Sequence, residues 1–104
     1  MHVLVTGHTG FKGAWLTVLL REQGHEVSGI ALDPEPGALF TTAGLSADLV
    51  HDIRLDIRDA PALRDACDRI APDAIIHMAA QPLVRRSYTE PRLTIGTNVM
   101  GTLN

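Results

Sequence analysis

The sequence has one cysteine, Cys67, so no intramolecular disulfide can form. Its spacing with Leu63, Ala66 and Ile70 reads as a small apolar position on a helix rather than as a nucleophile. The five histidines, His2, His8, His25, His51 and His77, are scattered without metal-ligand spacing, and none is assigned to a metal. No apolar run is long enough to span a bilayer, and no basic segment precedes an apolar leader, so no membrane association and a cytoplasmic location are expected. Excess positive charge is also missing. A net charge of −3 argues against a nucleic-acid surface. There is no low-complexity tract and no repeat at solenoid periods. What remains is 104 residues, 45% apolar and 20% charged, the composition of one ordinary globular domain over 1–104.

The informative stretch is Thr6-Gly7-His8-Thr9-Gly10-Phe11-Lys12-Gly13, which follows the apolar run Val3-Leu4-Val5. A glycine-spaced turn between a buried strand and a helix is a dinucleotide site. Gly7 permits the sharp turn off the strand, Gly10 lets backbone N–H groups approach a pyrophosphate, and Gly13 lets the helix lie close to the sheet. The anion then sits at the positive end of the helix. Thr9, Phe11 and Lys12 belong to the same loop, and Lys12 can touch phosphate or simply be exposed. The next helix carries Phe11, Ala14, Trp15, Val18 and Leu19 at one apolar period and closes at Gly24. A second strand, about Glu26 to Leu32, ends in Asp33, twenty residues after Gly13. That is where a dinucleotide fold places the acid for the adenosine ribose hydroxyls. Pro34 beside it makes a plain turn aspartate the alternative. No arginine occurs in the Ala31 to Gly44 segment to neutralise that carboxylate, so NAD is expected over NADP.

The order then continues with a short helix at Ala38 to Ala43 and a third strand at Val50 to Leu55. A helix follows, opening at Asp59-Ala60-Pro61, carrying Leu63, Ala66, Cys67, Ile70 and Ala71, and stopped by Pro72. Ala74 to Met78 reads as a fourth strand, apolar enough to be covered on both faces. Alternating strands and helices predict an α/β, doubly wound (Rossmann) parallel sheet with strand order 3-2-1-4. A last helix is expected with Leu93, Val99 and Leu103 inward and Asn98 needing a buried partner.

Thr6 to Gly13, Ala31 to Pro34, Asp56 to Asp59, His77 to Tyr88 and Thr97 to Thr102 together resemble the N-terminal part of CDP-glucose 4,6-dehydratases. These are extended short-chain dehydrogenases of the sugar-nucleotide dehydratase and epimerase group. The resemblance implies that NAD takes a hydride from C4 of a hexose, that water is lost across C5 and C6, and that the hydride returns to C6. It further implies that Asp56 and Ile57 hold the adenine, although Asp56 could equally be a helix cap. Ala79, Ala80 and Gln81 would lie along the nicotinamide half. Asn98 would make a cofactor-side or strand-tethering hydrogen bond, and Arg85 and Arg86 would meet the substrate diphosphate. The partner is then a nucleotide sugar, with the oligomeric state open, a homo-oligomer included. The alternatives are another extended reductase or epimerase, or a non-catalytic dinucleotide-binding module.

The resemblance also implies a Tyr-x-x-x-Lys base, and Tyr88 is followed by Arg92 in the lysine position. No catalytic residue is therefore assigned. The 104 residues alone, about one third of such an enzyme, are expected not to convert CDP-glucose. A product assay on the purified chain, read against a blank, checks this.

Overall fold

Four parallel strands lie at the centre of the computed structural model, which describes residues 1–104: β1 (His2–Thr6), β2 (Glu26–Ala31), β3 (Asp52–Arg54) and β4 (Ala74–His77). Their spatial order is β3-β2-β1-β4, the predicted 3-2-1-4. Crossover helices α1 (Phe11–Glu22) and α3 (Ala60–Ile70) take opposite faces of the sheet, and α2 (Leu39–Thr42) with a short 3-10 turn at Leu45–Asp48 joins β2 to β3. Side chains alternate along each strand, so Leu4 and Ile30 meet Leu63, Ala66 and Ile70 of α3 on one face. Val3, Val5 and Val27 meet Leu20 of α1 on the other. Burying each such side chain is worth roughly 1.5–3 kcal/mol.

The helix ends follow the sequence signals. Gly24 takes φ +85° just past α1, and its N–H reaches the Arg21 carbonyl. Asp59 caps α3 by accepting from the Ala62 N–H at 3.2 Å, with Pro61 in the first turn. Ala71, expected inside α3, instead ends it at φ +48°, donating to the Cys67 carbonyl before Pro72. Cys67 itself is half-buried against the core.

Other expectations are corrected. The inward face of α1 is Gly13, Ala14, Thr17 and Leu20, whereas Phe11, Trp15 and Leu19 are 72%, 54% and 53% exposed. Small residues are selected on the inner face because the helix starts hard against its own loop. The strand from Val50 to Leu55 shortens to Asp52–Arg54, because it forms the outer edge and pairs only with β2. β2 likewise stops at Ala31, with Leu32 exposed. β4 stops at His77, and it is not covered on both faces, since Ile75 is 55% exposed.

After β4 come α4 (Val84–Thr89), which the sequence reading lacked, and α5 (Pro91–Ile95). α5 runs through a wide π-type turn at Gly96–Met100 into a last turn at Gly101–Leu103. Val99 and Leu103 are exposed rather than inward. Leu93, Thr94 and Asn98 are half-buried and Gly101 is buried, and a Cβ at Gly101 would fall 2.5 Å from the Ile57 Cδ1. No helix is long and apolar enough to cross a membrane.

One glycine inside β2 serves close packing. A Cβ on Gly29 would lie 2.2 Å from the His8 ring, which is fully buried and set edge-on to Phe40 at 5.2 Å. Gly29→Ala should cost about 1–3 kcal/mol by overpacking. A lower urea midpoint at unchanged slope is the expected result.

Candidate nucleotide site

The glycine turn divides its three glycines by physical role. Gly7 stands at φ +79° and donates to the Ile30 carbonyl at 2.8 Å, and a Cβ there would sit 2.8 Å from the Ala79 nitrogen. A Cβ at Gly13 would come within 2.1 Å of the Gly7 carbonyl oxygen. Both positions are closed by the protein itself. Gly10 is exposed, and its Cβ would meet only the Gly7 oxygen at 3.4 Å, an ordinary contact. Space is therefore left over at Gly10 alone. The loop is tied at two points: the Gly10 N–H donates to the Gly7 carbonyl at 3.1 Å, and Thr9 Oγ1 donates to the Leu32 carbonyl at 2.9 Å. Thr9 is buried, whereas Phe11 and Lys12 are exposed in the first turn of α1, whose opening N–H groups have no helical acceptor. Beside them lies a cleft of about 550 Å³ whose lining includes Thr9, Gly10, Phe11, Glu35, Ala38 and Leu39.

Asp33 lies just past β2 with its carboxylate 88% exposed. The expectation of no neighbouring arginine is corrected, because Arg54 Nε approaches Asp33 Oδ1 at 3.4 Å from β3. The parallel register sets Arg54 directly opposite Ala31. The same guanidinium grips both oxygens of Asp52 and stands 5.2 Å over the Phe40 ring. Asp52 in turn accepts from Ser46 Oγ and, at 2.7 Å, from His8 Nε2–H. Burial alone would raise the Asp52 carboxyl, but bonds from Arg54, Ser46 and His8 outweigh it and hold it below its ordinary value. His8 Nδ1 is buried without a partner. Burial pushes the imidazole below its ordinary value despite the Asp52 bond, so the ring is neutral.

On the β4 flank of the sheet, Thr6 Oγ1 accepts from the Met78 and Ala79 N–H groups at 3.0 and 3.2 Å, and its proton points to His77 Nδ1 at 2.6 Å. His77 Nε2–H then donates to Thr102 at 3.0 Å, linking β1, β4 and the last helix. Ala79 and Ala80 leave β4 with small side chains at the open edge, next to Gly7. Asn98 uses its whole amide on one residue, accepting from the Gln81 N–H at 2.8 Å and donating to the Gln81 carbonyl at 3.2 Å. This is the tethering bond. Gln81 is buried, and its own amide donates to Thr94 at 2.9 Å and accepts from the Leu83 N–H at 2.8 Å.

The remaining expected residues scatter. Asp56 does not cap α3, a role that falls to Asp59. Its carboxylate is held by Arg58, whose guanidinium bonds push it below the ordinary carboxylate range. Ile57 is buried in the α3 core. Arg85 and Arg86 lie exposed on α4, and Arg86 pairs with Glu90 one turn on. No three His, Cys, Asp or Glu side chains cluster as a metal set would.

The neutral His8 carries a pH signature. Its folded value lies below the ordinary 6.5, so the unfolded chain binds the extra proton first. The stabilisation is complete above that ordinary value and is lost as pH falls toward the folded one, with a slope of up to about 1.4 kcal/mol per pH unit. Asp52 contributes above the ordinary carboxylate value and loses its share only in stronger acid. His8→Gln should therefore flatten stability against pH between roughly 7 and 5. Urea titrations across that range measure the slope.

Over residues 3–104 the chain matches the model of the NAD dependent epimerase/dehydratase family. It is 50% identical over 103 residues to the CDP-glucose 4,6-dehydratase of Salmonella typhimurium, covering 98% of this chain and 28% of that protein. It is 34% identical over 103 residues to the UDP-glucose 4-epimerase of Mycolicibacterium smegmatis, covering 99% of this chain and 33% of that one. Among solved structures, the UDP-glucose-4-epimerase of Stenotrophomonas maltophila with bound NAD and formylated UDP-arabinopyranose superposes with a TM-score of 0.83 at 28% identity, covering 99% of this chain and 31% of that one. The chain thus spans about a third or less of the length of each of these proteins.

Proposed function

Since the chain belongs to the NAD dependent epimerase/dehydratase family, we propose that residues 1–104 are the NAD-binding part of a nucleotide-sugar 4,6-dehydratase, with CDP-glucose as the whole enzyme's substrate. The observation that carries the cofactor half is the open space at Gly10 between two glycines that the fold itself closes. A pyrophosphate laid there meets the first-turn N–H groups of α1, around Phe11 and Lys12, and the positive end of the helix. The cleft beside the glycine loop has the volume for an adenosine, and Asp33 stands just past the end of β2. In this reading the Asp56 carboxylate and the Ile57 backbone take the adenine, the Ile57 side chain being buried against α3, and Ala79, Ala80 and Gln81 form a wall beside the nicotinamide. Asn98 acts through Gln81, whose backbone it grips, and Arg85 and Arg86 await the sugar nucleotide's diphosphate.

Bound NAD would supply hydride acceptance and return; these residues hold and orient it. The proton chemistry at the sugar has no Tyr-x-x-x-Lys among residues 1–104. The preference for a dehydratase rests on 50% identity to one, against 34% to an epimerase. The whole enzyme's product from CDP-glucose separates the two, a 4-keto-6-deoxy sugar or the C4 epimer.

Calorimetric titration tests the cofactor half. Gly10→Val should fold and lose NAD, because a branched side chain then fills the pyrophosphate's place. Exposed Glu22→Ala should bind as before. Asp33→Ala should weaken NAD roughly 10-fold to 100-fold, since a hydrogen bond to a charged group is worth about 1.5–3 kcal/mol. Undiminished NAD binding by folded Gly10→Val would overturn the reading.

A further inference from the structure

Arg54 belongs to no part of the cofactor half as derived from the glycine loop, yet it is the one cation held against the ribose acid. Its position is over-determined. The register with β2 sets it beside Ala31, both Asp52 oxygens grip its fork, and the Phe40 ring lies beneath it. Its Nε faces Asp33, at 3.4 Å. Asp52 is fixed in turn by Ser46 and the buried His8. The guanidinium is thus built into the wall rather than swinging free in solvent.

We propose that Arg54 sets how strongly the ribose end of the site discriminates against a 2′-phosphate, through a charge balance tuned by Asp52. This rests on the reading above, in which Asp33 faces the adenosine ribose. Asp33 alone would repel a 2′-phosphate by like charge. Arg54 at 3.4 Å supplies a planar donor that suits phosphate oxygens. Asp52 competes for that donor, because two of its five N–H groups already run to the Asp52 carboxylate. Asp33, Arg54 and Asp52, with His8 neutral, sum to one negative charge. The site therefore favours NAD, by a smaller margin than Asp33 alone would impose. The balance should move in opposite directions with its two members. Removing Arg54 leaves two carboxylates and deepens the preference for NAD. Neutralising Asp52 frees the fork and relaxes that preference.

The test is the ratio of NADP to NAD dissociation constants, measured by calorimetry on the unmodified protein, Arg54→Met and Asp52→Asn. Methionine keeps an apolar stem over Phe40, and asparagine keeps the shape of Asp52. Arg54→Met should raise the ratio about tenfold, the worth of one charge-assisted bond, with NAD affinity little changed. Asp52→Asn should lower it by a similar factor. A merely structural role would weaken both nucleotides together and leave the ratio where it was. Unchanged ratios in variants that still bind NAD would overturn the role of Arg54 and leave the NAD reading standing. If Arg54→Met does not fold, Asp52→Asn decides alone by the same ratio. Failure of the unmodified protein to bind either nucleotide would overturn the NAD reading, and this inference with it.

Discussion

The structure turns on one contact distance. The carbonyl oxygen of Gly7 occupies the place where a side chain at residue 13 would begin, 2.1 Å from the ideal Cβ. Strand and helix can approach this closely only without that atom, and the approach aims the start of α1 across the end of the sheet. Much else is set from there. Gly7 must turn left-handed to deliver its carbonyl, Ala79 passes close behind it, and the inner face of α1 is restricted to small residues near its start. The empty volume at Gly10 is the remainder once those atoms are in place.

A second constraint holds the opposite flank. β4 ends at an edge, and the chain beyond it has no strand to pair with. Asn98 supplies the missing ladder, offering Gln81 one acceptor and one donor as a neighbouring strand would. The π-type turn at Gly96–Met100 surrounds Asn98, and such widened turns often accompany functional positions. With the Thr6, His77 and Thr102 chain of bonds, it ties the strand ends to the last helix through polar contacts.

Most of the architecture was legible because it rests on local rules. Glycine spacing, the Asp59 cap, Gly24 and the strand-helix alternation each name their own structure, and the sheet order follows from them. What could not be read depends on pairs distant in the chain. Trp15 and Leu19 keep a perfect helical period yet point to solvent, because period identifies a face without saying which face meets the sheet. Arg54 lies beyond the Ala31 to Gly44 segment that follows β2, and only the register between β2 and β3 brings it to Asp33. His8 looked like a loop residue. Its signal was Gly29, a glycine inside a strand, which marks a close approach of something large. For Asn98 the need for a partner was visible in the sequence, and the partner's identity was not.

The misplaced stripe on α1 has a practical side. Trp15 is the sole tryptophan of the chain, and it stands half-exposed one turn beyond the glycine loop. An indole there emits from a mixed environment, partly aqueous and partly against the helix. Whatever covers that surface, or stiffens the turn beneath it, will change both the colour and the lifetime of its light. The chain therefore carries its own optical reporter within a few residues of the site it would report on.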